Sequence, residues 1–106
     1  MIPETECGLS FSVQNKLNEF FAKKPFIEQV VLYGSRAKGN FKSGSDIDLT
    51  IKSSNMQLSD LLKIENEIDD LLLPYKVDLS IYKLIDNQNL KDHIDRVGKV
   101  FFLGNK

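Results

Sequence analysis

Two carboxylates two residues apart, Asp46 and Asp48, lie in a stretch that alternates polar and apolar residues, Asp46-Ile47-Asp48-Leu49-Thr50-Ile51. Strict alternation reads as a half-buried strand, in which residues i and i+2 share a face. Ile47, Leu49 and Ile51 then enter a core, and both acids project from the opposite side. A third acid, Asp78, holds the same kind of position in Lys76-Val77-Asp78-Leu79-Ser80-Ile81-Tyr82, with Val77, Leu79 and Ile81 inward. Side-by-side carboxylates repel, and burying them unpaired is costly. A divalent cation between them relieves both effects. If the strands are neighbours, about 4.8 Å apart, three carboxylates can meet on the open face. Such oxygen ligands suit Mg²⁺. Two Mg²⁺ ions roughly 3.5–4 Å apart would clamp the attacking and leaving oxygens of a phosphoryl displacement.

Upstream, the apolar run Val30-Val31-Leu32-Tyr33 stops at Gly34-Ser35. A strand that ends in Gly-Ser before a helical turn offers backbone N–H groups and a hydroxyl to anionic oxygens. Arg36, Lys38 and Lys42 add positive charge where a triphosphate would lie, Arg with two parallel bonds and Lys as a point charge. An Asp-x-Asp alone is more often a solvated sheet face, and a Gly-Ser alone is more often a turn. The two motifs in this order, each on its expected element, are far more specific.

The elements that must hold these residues can be read from periodicity. Ser10 or Ser12 can cap a helix running to about Lys23, with Val13, Leu17, Phe20 and Phe21 as its apolar stripe and Pro25 as its stop. A second helix spans about Gln57 to Leu73, with Leu58, Leu61, Leu62, Ile68, Leu71 and Leu72 on its buried face and Pro74 after it. Glu65 falls near that stripe without an evident reason. Asp86 or Asn87 can cap a last helix to about Val97, carrying Leu90, Ile94 and Val97, with Gly98 as its stop. Val100 to Leu103 reads as a final edge strand. The fold class is therefore α/β (α+β): a small mixed β-sheet with helices packed on one face.

With 106 residues this is one domain, 1–106, with residues 1–9 expected as a loose lead-in. A net charge of −1 argues against a general nucleic-acid binder but leaves room for a local basic patch. With one cysteine, Cys7, no internal disulfide can form, which fits a cytoplasmic location. No apolar stretch approaches the roughly 20 residues that span a bilayer, so no membrane partner is expected. The first ten residues lack the pattern of a signal peptide.

Gly34-Ser35-Arg36 with Ser45-Asp46-Ile47-Asp48, and Asp78 on a later strand, resembles the Gly-Ser…Asp-x-Asp signature of the polymerase-β-like nucleotidyltransferase superfamily. The likeness covers roughly residues 11 to 103, and the short chain most resembles its minimal nucleotidyltransferase (MNT) group. The resemblance implies that Asp46 and Asp48 hold two Mg²⁺ ions. It implies that Asp78 holds the catalytic one and helps deprotonate the acceptor. Gly34 and Ser35 would bind the β- and γ-phosphates of ATP, assisted by Arg36. It further implies a Mg²⁺-dependent transfer of AMP from ATP to a hydroxyl, a tyrosine of a HEPN-type helical toxin, with this chain as antitoxin. Larger relatives carry a further domain that grips base or acceptor. Here that surface must come from a second copy or a partner, in a homo- or hetero-oligomer. Two other readings stand beside this one: a non-catalytic module that neutralises its partner by occlusion, and a small-molecule nucleotidyltransferase of the aminoglycoside-modifying kind.

Tyr33, Phe41, Tyr75 and Tyr82 are candidates to stack on the base, although Tyr33 reads better as core. His93 reads as a surface helix residue rather than a base or ligand. Cys7 reads as incidental.

Overall fold

Alternation and helical spacing place the elements well, and the computed structural model, which describes residues 1–104, shows how they join. Helix α1 spans Glu4–Cys7 and α2 Phe11–Ala22. Strand β1 (Gln29–Tyr33) runs into α3 (Gly34–Lys38), and β2 spans Ile47–Lys52. Helix α4 (Leu58–Asp69) precedes β3 (Val77–Ile81). A 3-10 turn at Tyr82–Leu84 leads to α5 (Gln88–Val97) and β4 (Lys99–Leu103). The strands form one mixed sheet in the order β3-β2-β1-β4. β1 is antiparallel to β2 and to β4, whereas β2 and β3 are parallel. Parallel neighbours cannot be joined by a tight turn and need a crossover of a dozen or more residues. Helix α4 is that crossover. β4 lies at an edge, as its sequence suggested.

One face of the sheet carries the main core. Val30, Leu32, Ile47, Leu49, Ile51, Leu79 and Ile81 meet Leu17 and Phe21 of α2 and Leu61, Ile64 and Ile68 of α4. Each such side chain, fully buried, contributes roughly 1.5–3 kcal/mol. Ser10 caps α2 as expected, its hydroxyl accepting from the Val13 N–H at 3.2 Å. Lys24, just past α2, pairs with Glu67 of α4 at 3.0 Å and so joins the two covering helices.

The buried face of α4 differs from the expected one. Leu61, Ile64 and Ile68, at i, i+3 and i+7, point inward, whereas Leu58, Leu62 and Leu72 are exposed. The helix also ends at Asp69, before Pro74 is reached. Leu72 sits in a turn beyond it with φ of 55°. At the start of α4, Gln57 and Asp60 form a reciprocal cap: the Gln57 N–H donates to Asp60 Oδ2 at 2.9 Å.

The lead-in is not loose. Ile2, Cys7 and Leu9 are buried in the main core. Gln14, a polar residue on the inner side of α2, holds them there. Its side chain accepts from the Ile2 N–H at 2.9 Å and donates to the Ile2 carbonyl at 2.8 Å and the Leu9 carbonyl at 3.0 Å. A buried amide is tolerated because its hydrogen bonds are met. Cys7 is accordingly a core residue rather than an incidental one.

Helices α2 and α4 cover one face, as expected. Helix α5, expected on that face too, lies instead against the other, where Ile94 packs on Val31 and Tyr33. That second face bears the acids.

Candidate active site

Strand register brings the acids together. Asp48 of β2 stands opposite Asp78 of β3, and Tyr33 at the end of β1 stands opposite Asp48. Residues directly opposite in a ladder share a face. A row Tyr33–Asp48–Asp78 therefore crosses three strands, each about 4.8 Å from the next. One step along, the Ser80 hydroxyl donates to Thr50 Oγ1 at 2.8 Å on the same face. Asp46 lies one residue ahead of β2, with an exposed side chain.

Among the described residues none of the three carboxylates has a hydrogen-bond or ion-pair partner. Asp48 bears the electrostatic consequence. Partial burial raises its pKa first, repulsion from Asp78 and then from Asp46 raises it further, and the Arg36 charge offsets part of this. The three acids thus sense one another. Their side chains do not close on one point: among the described residues no set of three His, Cys, Asp or Glu is arranged to hold a metal ion. The backbone supplies the common face, and the donor chemistry fits Mg²⁺, as hard oxygen ligands that repel without a cation.

The turn after β1 meets these acids directly. Gly34 has φ of 74°, a left-handed conformation that glycine adopts without strain. A Cβ built there would run into Asp48 Oδ2 and lie 3.2 Å from its carboxyl carbon. The missing side chain is what lets the carboxylate sit against the backbone. Ser35 follows at the start of α3, and its hydroxyl has no partner among the described residues.

Arg36 is not placed to bind phosphate, which corrects its expected role. It is 1% exposed. Its Nε and Nη2 donate to the Ser45 carbonyl at 3.1 and 2.8 Å, and Nη1 donates to the Cys7 carbonyl at 2.9 Å. Phe41 and Tyr75 pack on the guanidinium, at 5.4 and 4.8 Å from their ring centroids. A guanidinium turned inward and committed to carbonyls has no route to a nucleotide. Instead it clamps the loop before Asp46, whose Ser45 hydroxyl also accepts from the Lys42 N–H at 2.8 Å. Lys38 and Lys42 keep exposed side chains near the turn.

The aromatic candidates are largely engaged. Phe41 and Tyr75 serve Arg36. Tyr82 donates its hydroxyl to Asp95 at 2.8 Å and carries Lys52 and Lys91 over its ring. Tyr33 is buried as expected. Burial pushes its hydroxyl pKa up, a hydrogen bond with Ser80 opposes this, and the nearby Asp78 and Asp48 add to the rise. His93, expected as a surface helix residue, instead reaches the turn. It is half-buried, and its Nε2 accepts from the Gly34 N–H at 3.1 Å. The available signal was its spacing: His93 falls three residues after Leu90 and just before Ile94, on the margin of the apolar stripe of α5.

A family model described as polymerase beta, nucleotidyltransferase, matches residues 15–106. Among curated proteins no match is found. Among the solved structures that share the fold are three toxin–antitoxin structures. A toxin–antitoxin complex with AMP-PNP is 20% identical with a TM-score of 0.70, covering 88% of this chain and 74% of that one. Two substituted forms of the toxin–antitoxin MntA-HpeT follow. One is 18% identical with a TM-score of 0.69, covering 88% and 74%. The other is 20% identical with a TM-score of 0.66, covering 92% and 75%. At these identities the likeness is one of fold.

Proposed function

Because the chain belongs to the polymerase β nucleotidyltransferase family, we propose that it transfers AMP from ATP to a tyrosine hydroxyl of a HEPN-type helical toxin and so acts as its antitoxin. The observation that carries the reading is the register of β2 and β3, which sets Asp48 opposite Asp78 beside Gly34. The partner class rests on the toxin–antitoxin complexes that share the fold, and the nucleotide on the one described with AMP-PNP. Working on ATP is also what suggests a cytoplasmic location.

Asp46, Asp48 and Asp78 would hold two Mg²⁺ ions, which when bound neutralise phosphate charge and acidify the acceptor hydroxyl. The Ser35 hydroxyl and amide orient the β- and γ-phosphates at the end of β1. Asp78, exposed at the sheet edge, faces the side from which an acceptor can approach and takes its proton. The acceptor oxygen then bonds to the α-phosphorus, the bond to the bridging oxygen breaks, and pyrophosphate leaves. Positioning and charge neutralisation carry such a reaction, since the protein forms no covalent bond to the nucleotide. Lys38 and Lys42 attract the triphosphate over a longer range. The acceptor surface comes from the partner, in a hetero-oligomer.

The test is incubation of the protein with α-labelled ATP, Mg²⁺ and the helical partner. The expected result is label on a partner tyrosine, abolished by chelation and by Asp46→Asn with Asp48→Asn. Label transfer that survives the double substitution would refute the assignment, and so would full toxin neutralisation by that variant in cells.

A further inference from the structure

His93 lies outside the residues assigned above, yet it touches the turn on which they depend. Its Nε2 accepts from the Gly34 N–H at 3.1 Å. Its ring meets Tyr33 edge-on, at 6.2 Å between centroids and 81° between planes. Ile94, the next residue, anchors α5 on Val31 and Tyr33. Asp48 approaches the same glycine from its Cα side. Gly34 is therefore held through its amide by α5 and has the carboxylate of β2 resting beside its Cα.

We infer that His93 is a positioning residue that holds the Gly34 amide with a neutral ring nitrogen, locks the strand-to-helix turn against Asp48, and keeps that bond when nucleotide binds. The inference rests on the proposed function for the identity of the turn as a phosphate site. A ring nitrogen that accepts from an amide carries no proton, so the other nitrogen carries it. Such a nitrogen has nothing to donate to a phosphate. Phosphate oxygens must then be met by Ser35, and the Gly34 amide is not among their donors. Simple packing does not explain the arrangement: an apolar ring would fill the space beside Tyr33 equally well, but would leave a half-buried N–H without a partner.

Two variants separate these roles. His93→Phe keeps a ring against Tyr33 and loses the acceptor, whereas His93→Gln keeps an acceptor and loses the ring. Freed of that bond, the turn shifts against Asp48 and carries Ser35 with it, so kcat/KM for ATP of His93→Phe should fall roughly tenfold or more, the effect of one unmet hydrogen bond. His93→Gln should recover most of the rate. Nitrogen NMR of the wild-type imidazole should show an unprotonated Nε2 both without nucleotide and with Mg²⁺ and AMP-PNP. A His93→Phe variant as fast as wild type would overturn the inference, and so would protonation of Nε2 on nucleotide binding. If the wild type transfers no nucleotide, the functional reading fails by itself, and amide hydrogen exchange still decides the role of His93. Slow exchange at Gly34 in wild type and His93→Gln with fast exchange in His93→Phe supports it; equal exchange in all three refutes it.

Discussion

Replacing Gly34 by alanine should separate what the turn does for stability from what it does for the acids. Gly34 and Gly39 bracket α3, with φ of 74° and 86°. A left-handed conformation costs a residue with a Cβ roughly 1–2 kcal/mol, so both alanine variants should lose about that much. Their surroundings differ sharply. At Gly39 an added Cβ meets nothing within 4 Å. At Gly34 it collides with Asp48 Oδ2 and lies 3.2 and 3.4 Å from Cγ and Cβ of the same side chain. A carboxylate can swing away at small cost in folding energy, but it then leaves the position it shares with Asp78. A displacement of about 1 Å at a reacting centre can cost on the order of 10²-fold in rate. Urea unfolding should therefore show similar losses for Gly34→Ala and Gly39→Ala. The nucleotidyl-transfer rate should fall on the order of 10²-fold for Gly34→Ala alone. An active Gly34→Ala, or a Gly39→Ala equally inactive, would refute the idea that this glycine exists to admit the carboxylate.

Without divalent cations, Asp48→Asn should melt above wild type at neutral pH. The folded state raises the Asp48 pKa, so it holds a proton the unfolded chain has released, and stability declines as pH rises from the ordinary carboxylate value through the raised one. The difference between the two proteins should vanish in acid, and Mg²⁺ should stabilise wild type but not the variant; a thermal-melt series in pH checks both. Arg36→Ala leaves the Ser45 and Cys7 carbonyls unmet and should cost about 3–5 kcal/mol by urea unfolding, with little recovery in Arg36→Lys, whose single ammonium cannot reproduce the fork. A loss under 1 kcal/mol would mean the guanidinium is not the clamp described. Gln14→Leu should release residues 1–9, seen as rapid amide exchange at Ile2 and early proteolysis there, while β2 and β3 stay protected.

Much of this was legible in the chain itself, because alternation fixes which face a strand residue takes. Asp48 and Asp78 lie on the expected face, and the turn at Gly34 falls where the apolar run ends. That β2 and β3 are neighbours also had a signal, since the helix between them is long enough for a parallel crossover. What escaped was set by contacts distant in sequence. Arg36 reads as a phosphate ligand until the Ser45 and Cys7 carbonyls and two aromatic rings surround it. Residues 1–9 read as loose because their partner, Gln14, is polar, and polarity does not mark a core position. Leu58 and Leu62 read as buried because apolar residues lie on more than one side of α4, and spacing alone cannot say which side meets the sheet.

The proposed chemistry requires that Asp46, Asp48 and Asp78 share one cation site beside the Gly34–Ser35 turn. Titration with Mn²⁺, in the presence of a non-hydrolysable ATP analogue and followed by amide NMR, reports it most directly. Signals of residues 34–35, 46–48 and 78 should broaden together at the same low Mn²⁺ concentration, and Asp48→Asn should abolish this for all of them. Broadening at 46–48 while residue 78 stays sharp would contradict it.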